Sequence, residues 1–185
     1  MQNKKLLIIG DSFSADSSLD SWTNMLQNFS VTNLSSNGSS QYRIYKKLVS
    51  TDLQNFTHVI IVHTSPYRIY IEHNPLHQSS LTHRDCDLIY QDIKNLDKTN
   101  FAKNVAWYFE NVFDLEQANV MHHLLVEKIK QFTAHLKSLH ISFFENSLLL
   151  PVTNLNHLWK LHPGKINHLN KIGNKKVAEF INNTL

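Results

Sequence analysis

Residues Leu6-Leu7-Ile8-Ile9 form an unbroken apolar run that follows Lys4-Lys5 and stops at Gly10-Asp11-Ser12. Four residues are too few for a helix core. An uninterrupted run, as opposed to an alternating one, marks a strand buried on both faces, and such strands belong to parallel sheets covered by helices. A second run of this kind, Val59-Ile60-Ile61-Val62 within residues 56–62, stops at His63-Thr64-Ser65-Pro66. Between the two, Trp22, Met25, Leu26 and Phe29 have the spacing of one helix face. Residues 30–35 alternate as a short strand that breaks at Asn37-Gly38. Ser39 or Ser40 then caps a second helix whose apolar face is Tyr42, Tyr45, Leu48 and Val49. The order strand, helix, strand, helix, strand predicts an α/β fold, three-layered α/β/α, with a mostly parallel sheet wound as in flavodoxin. The three strand ends meet on one edge, where open parallel sheets place their ligands.

Later in the chain, residues 115–139 carry apolar positions at helical spacing, and residues 140–145 read as a further strand. Residues 155–165 read as a loop, and a last helix runs from about 170 to 182. Residues 67–110 are less regular and read as an insertion or lid over the sheet edge.

Composition narrows the function classes. The 185 residues include 42% hydrophobic and 18% charged side chains, the proportions of a single globular domain. A net charge of +3, with basic residues in scattered pairs, gives no nucleic-acid stripe, so no nucleic-acid partner is expected. No stretch is apolar enough for a membrane span, and the run ending at Ile9 is too short for a signal peptide, which makes the cytoplasm the expected location. A single cysteine, Cys86, excludes an intramolecular disulfide and reads as a buried thiol. His73, His77, His83, Asp85 and Cys86 have a spacing that invites a metal reading, but Pro75 breaks the helix that would align the first pair. No metal is expected.

Ser12 lies where a strand end exposes reactive groups, and a serine hydroxyl needs a base to become a nucleophile. His168, in Lys165-Ile166-Asn167-His168-Leu169-Asn170 ahead of the last helix, is placed to return to the same edge. Gly10-Asp11-Ser12, Asn37-Gly38 and His168-Leu169-Asn170, in this order, resemble the SGNH/GDSL hydrolase family. The resemblance spans the scaffold from Leu6 to the last helix, apart from residues 67–110. It implies one SGNH-hydrolase-like domain over residues 1–185. The activity it implies is that of an esterase or acyltransferase acting on a small O-acyl group such as acetyl, on a carbohydrate or other small-molecule ester, with no cofactor. Ser12 would be the nucleophile and His168 the general base and acid. The backbone N–H groups of Ser12 and Gly38 would bind the oxyanion. A catalytically degenerate relative that binds a glycan or protein partner is the alternative.

The chain departs from the family pattern twice. Where the family carries Gly-x-Asn-Asp with an amide donor, this chain has His63-Thr64-Ser65-Pro66, so Thr64 and Ser65, or His63, are the substitutes. Lys165 stands three positions before His168, where the orienting acid is expected, leaving a backbone carbonyl, Asp16 or Glu145 for that role. Asp11, His63, Arg68 and Trp159 are the candidate substrate-binding residues. Arg68 suits a carboxylate or phosphate and suits an internal ion pair equally well. Tyr67 and Tyr70 are placed to stack on a sugar, and His162 to line the same pocket.

Overall fold

The computed structural model describes residues 4–77, 86–95, 99–145, 150–165 and 168–185. Strands β1 (Lys4–Ile9), β2 (Phe29–Asn33), β3 (His58–His63), β6 (Lys137–Ser142) and β7 (Thr153–Asn154) form one sheet in the order β2-β1-β3-β6-β7. Every pairing in this sheet is parallel. Winding outward in both directions from β1 and β3 produces the flavodoxin-like order and brings the carboxyl ends of the strands to one edge.

The apolar runs explain the layering. Leu6, Ile8, Ile60, Val62, Leu139 and Ile141 point to one face, where Phe13, Trp22, Phe143 and helix α7 (Lys171–Thr184) cover them through Val177, Ala178 and Ile181. Leu7, Ile9, Val59 and Ile61 point to the other face, onto Ile44 and Leu48 of helix α2 (Gln41–Val49) and Ile129 of helix α5 (Leu115–Thr133). Each run fills both faces because successive strand side chains alternate.

Several boundaries differ from the sequence reading. Residues 21–29 do not form a helix: only a single tight turn at Trp22–Asn24 appears, and β2 already starts at Phe29. The cause is tertiary. The Trp22 indole donates to the Phe13 carbonyl at 2.7 Å, its backbone N–H donates to Asn174 Oδ1 at 3.1 Å, and Asn28 takes φ of 65°. The inward face of α2 is Gln41, Ile44 and Leu48, whereas Tyr42 and Val49 are exposed. Helix α5 ends at Thr133 and β6 starts at Lys137, so the helical spacing of Leu136 and Leu139 was coincidental. Residues 155–165 include a helix, α6 (Asn156–Leu161), not only a loop.

The described residues between 67 and 110 carry their own small structure. Strands β4 (Arg68–Ile69) and β5 (Leu88–Ile89) pair antiparallel, followed by helices α3 (Tyr90–Asn95) and α4 (Asn100–Asn111) around Leu88, Ile93 and Ala102. Asp87, fully buried, ties this segment to α2: it accepts from Arg43 Nε at 3.1 Å and Nη2 at 2.8 Å, and from the N–H groups of Ser40 at 2.6 Å and Ile71 at 3.0 Å. No helix among the described residues is long and apolar enough to cross a membrane.

Candidate active site

The turn after β1 is built around Asp11. Its carboxylate caps the short helix α1 (Ser12–Ala15), accepting from the Phe13 N–H at 3.1 Å, which sets Ser12 at the first helical position. Gly10 is required here because a Cβ would come within 2.5 Å of Ser14 Oγ and Val62 Cβ. Ser12 is half-buried and lines a small hollow with Phe13, Asp16, His168, Leu169 and Asn174. The structure therefore brings the sequence-predicted pair, Ser12 and His168, to the same hollow.

His168 is held from both sides. Its N–H donates to the Lys165 carbonyl at 3.1 Å and its carbonyl accepts from Gly164 N–H at 2.6 Å. The imidazole lies 5.6 Å from the Phe13 ring. Phe13 is the residue the sequence reading overlooked. It stacks on Phe143 at 4.6 Å and meets Phe144 and Trp159 edge-on, each at 5.7 Å. An apolar residue immediately after Ser12 was the available signal, since the first turn of a helix seated on a sheet edge needs an inward anchor.

Among the described residues no carboxylate forms an ion pair with His168. Asp16 reaches the hollow, but its carboxylate accepts from Ser18 N–H at 2.8 Å and Ser18 Oγ at 2.9 Å. Glu145 is exposed and pairs with Lys160, whose ammonium holds its carboxyl below the usual range. His162, near the loop of His168, has its Nε2 buried without a partner among the described residues.

Gly38 has φ of 64°, the left-handed region, and a Cβ there would lie 2.8 Å from both Cβ and Sγ of Cys86. Its turn abuts the Ser12 turn, because Ser36 N–H donates to the Gly10 carbonyl at 3.1 Å and Asn33 Nδ2 to the Ser14 carbonyl at 2.6 Å. Among the described residues the N–H groups of Ser12 and Gly38 have no acceptor. Cys86 is buried, and its thiol donates to the Asn37 carbonyl at 3.1 Å.

Asp11, Arg68, Thr64 and His63 take other roles. Asp11 is fully buried and touches no open space; burial pushes its carboxyl up, against the pull of Arg68, the Phe13 N–H, the Thr64 hydroxyl and His168. Arg68 is committed inward, to Asp11 Oδ2 at 3.1 Å and the Ser39 carbonyl at 2.9 Å, so it is not free for a substrate anion. Thr64 is fully buried, its hydroxyl donates to Asp11 Oδ2 at 3.3 Å, and that proton is not available to an oxyanion. Ser65 is half-buried, with Oγ accepting from Tyr67 N–H at 3.2 Å, which leaves its hydroxyl hydrogen unassigned. His63 is fully buried and faces the interior in place of a substrate. Trp159 is half-buried against Phe13.

His63 belongs to a chain of buried polar groups whose direction is fixed by one backbone donor. Thr64 N–H donates to Gln41 Oε1 at 3.3 Å, so Gln41 Nε2, 2.9 Å from His63 Nδ1, is the donor there. His63 Nε2 then carries the hydrogen and donates to His140 Nδ1 at 2.9 Å. His140 Nε2 donates to Thr133 Oγ1 at 3.2 Å, and that hydroxyl donates to the Ile129 carbonyl at 2.9 Å. Both rings are neutral Nε2–H tautomers, in keeping with burial, which lowers His63 well below its ordinary value and His140 to about 4. His122, lowered by burial to about 4, donates from Nε2 to the Thr64 carbonyl at 2.8 Å.

Among the described residues no group of three His, Cys, Asp or Glu side chains is placed to hold a metal ion. His83 and Asp85 lie outside the described residues.

No family model and no curated protein matches the chain. Among solved structures, a crystal structure of a member of the lipolytic protein G-D-S-L family from Veillonella parvula matches with 10% identity and a TM-score of 0.49, covering 95% of this chain and 94% of that one.

Proposed function

We propose that this chain is a serine esterase or O-acyltransferase that handles a small acyl group, such as acetyl, on a carbohydrate or similar alcohol. The observation that carries the reading is the shared hollow of Ser12 and His168, beside two adjoining turns whose N–H groups, of Ser12 and Gly38, have no internal acceptor. Ser12 Oγ attacks the acyl carbon while its proton passes to His168. The carbonyl π pair moves to oxygen, where the two N–H groups meet it. The intermediate collapses, the bond to the leaving alcohol breaks, and His168 returns the proton to that alcohol oxygen. Water, or an acceptor hydroxyl in a transferase, then attacks the acyl-serine, giving its proton to His168, which restores it to Ser12. His168 makes a tilted contact with Phe13 and its backbone is held by its own loop; among the described residues no carboxylate pairs with it, and losing the acid of a related triad lowers the rate by about 10⁴. A slow enzyme is the expectation.

The test is labelling with a fluorophosphonate, located by peptide mass spectrometry, together with turnover of acetyl esters. Wild type should be labelled on Ser12, and Ser12→Ala should lose both signals. An unlabelled wild type without turnover would leave the second reading, a degenerate scaffold that binds a glycan or protein partner through residues 67–110. The absence of a carboxylate paired with His168 among the described residues is the observation that favours that alternative.

A further inference from the structure

Arg68 stands five residues beyond β3, and its side chain is 8% exposed. Its Nη2 forms an ion pair at 3.1 Å with the carboxylate of Asp11, the residue before Ser12, and its Nη1 donates to the carbonyl of Ser39, the residue after Gly38. One planar group therefore spans the neighbours of both N–H groups that would meet an oxyanion. The guanidinium carbon lies 5.2 Å from the centre of the Phe144 ring, and Phe144 packs edge-on against Phe13, so the plane is held on the Ser12 side as well. The backbone of Arg68 is fixed by the β4–β5 pairing to Ile89.

We infer that Arg68 is a positioning residue that sets the spacing of the Ser12 and Gly38 turns. This inference rests on the reading of Ser12 as nucleophile and Gly38 as oxyanion donor. Two physical effects combine. A guanidinium is planar and rigid, so a carboxylate ion-paired to one of its nitrogens and a carbonyl accepting from another keep a set separation, which the rotating ammonium of a lysine does not impose. Its charge also offsets Asp11, whose carboxylate sits one residue from Ser12 and, unpaired, would oppose negative charge gathering on the acyl oxygen. The family pattern brings a side-chain amide from the segment after the third strand to this place. Here the same segment brings a cation that acts on the two turns from behind.

The inference makes the role of Arg68 separable from that of a binding residue. Arg68→Met should lower kcat for an acetyl ester by roughly 10²-fold, the size of effect seen when one oxyanion donor is lost, with KM changed little. Arg68→Lys should recover part of that loss, since it restores the charge but not the fork. Arg68→Met leaves Asp11 buried and unpaired, so the double variant Asp11→Asn/Arg68→Met is made alongside it. It keeps the cap on Phe13 N–H and strands no charge. If charge balance alone were the role of Arg68, the double variant would regain wild-type kcat, and the spacing role would be overturned. Backbone amide NMR supplies the readout that does not need turnover: between Asp11→Asn and the double variant, which differ only at position 68, the Ser12 and Gly38 amide resonances should both shift. Should either stay in place, or should Arg68→Met turn over like wild type, the inference fails. If wild type is never labelled at Ser12 yet both amides shift together, the brace stands and the esterase reading falls.

Discussion

Acid should unfold this protein through its interior histidines before its carboxylates matter. His122 and His140 have folded-state pKa values of about 4 against an ordinary 6.5, and His63 is lowered too, with burial the first cause in each. Between these values the unfolded chain binds protons that the folded chain refuses, so stability is complete above about pH 6.5 and is lost as pH falls towards 4. A fall from 6.5 to about 4 is a factor of roughly 300 in proton affinity, or roughly 3 kcal/mol per group once pH reaches the folded value. At pH 5 each of His122 and His140 has given up roughly 2 kcal/mol. Together they should lower the midpoint of thermal unfolding by roughly 8–16 °C relative to pH 7.5 in a chain of this size. Asp11, raised in the fold, works in the opposite sense, but only from pH values near and above its ordinary 3.8. The assay is calorimetry or circular dichroism from pH 7.5 to 5, with His140→Gln as comparison. Glutamine can accept on one side and donate on the other, so the variant should fold while losing one titrating group and flattening the pH slope. Equal slopes for wild type and His140→Gln, or a midpoint that does not move between pH 7.5 and 5, would refute the neutral-histidine assignment.

Gly38→Ala should cost about 1–2 kcal/mol from its left-handed backbone alone, and more from contact with Cys86; urea unfolding in the Cys86→Ala background should return only the part owed to Sγ, since alanine keeps the Cβ at 2.8 Å. Asp87→Ala removes the buried acceptor shared by Arg43 and the Ser40 and Ile71 N–H groups and should cost about 3 kcal/mol or more, with hydrogen exchange at the Ser40 and Ile71 amides accelerating. Phe13→Ala removes a ring packed on Phe143, Phe144 and Trp159. A loss of roughly 3–5 kcal/mol by urea unfolding is expected, along with slower fluorophosphonate labelling of Ser12 as His168 loses its packing surface.

The strands were legible because local composition decides them: Leu6–Ile9 and Val59–Val62 are buried on both faces and contain nothing polar to explain away. The sheet order followed from the alternation of strands and helices. The Ser12 and His168 positions were legible too, because strand ends and helix starts mark where the edge of a parallel sheet lies. What was lost depends on partners far away in sequence. Residues 21–29 have helical spacing, yet Trp22 is held by Phe13 and by Asn174, 152 residues on. His63 looked like a site residue because it ends a strand, but its ring is completed by His140, 77 residues away. Arg68 was open between a ligand and an ion pair, and only the fold shows Asp11 and Ser39 waiting for its two ends.

The one-way hydrogen-bond chain from Gln41 to Ile129 constrains which variants of this sequence are viable. Position 63 must accept from one side and donate to the other, and so must position 140; a leucine at either leaves its neighbour with a lone pair or a proton facing apolar surroundings. A change at 63 therefore alters the cost of every change at 140 and 133. Substitutions at positions 41, 63, 133 and 140 should prove strongly non-additive, with the four residues tolerated, or lost, as a set.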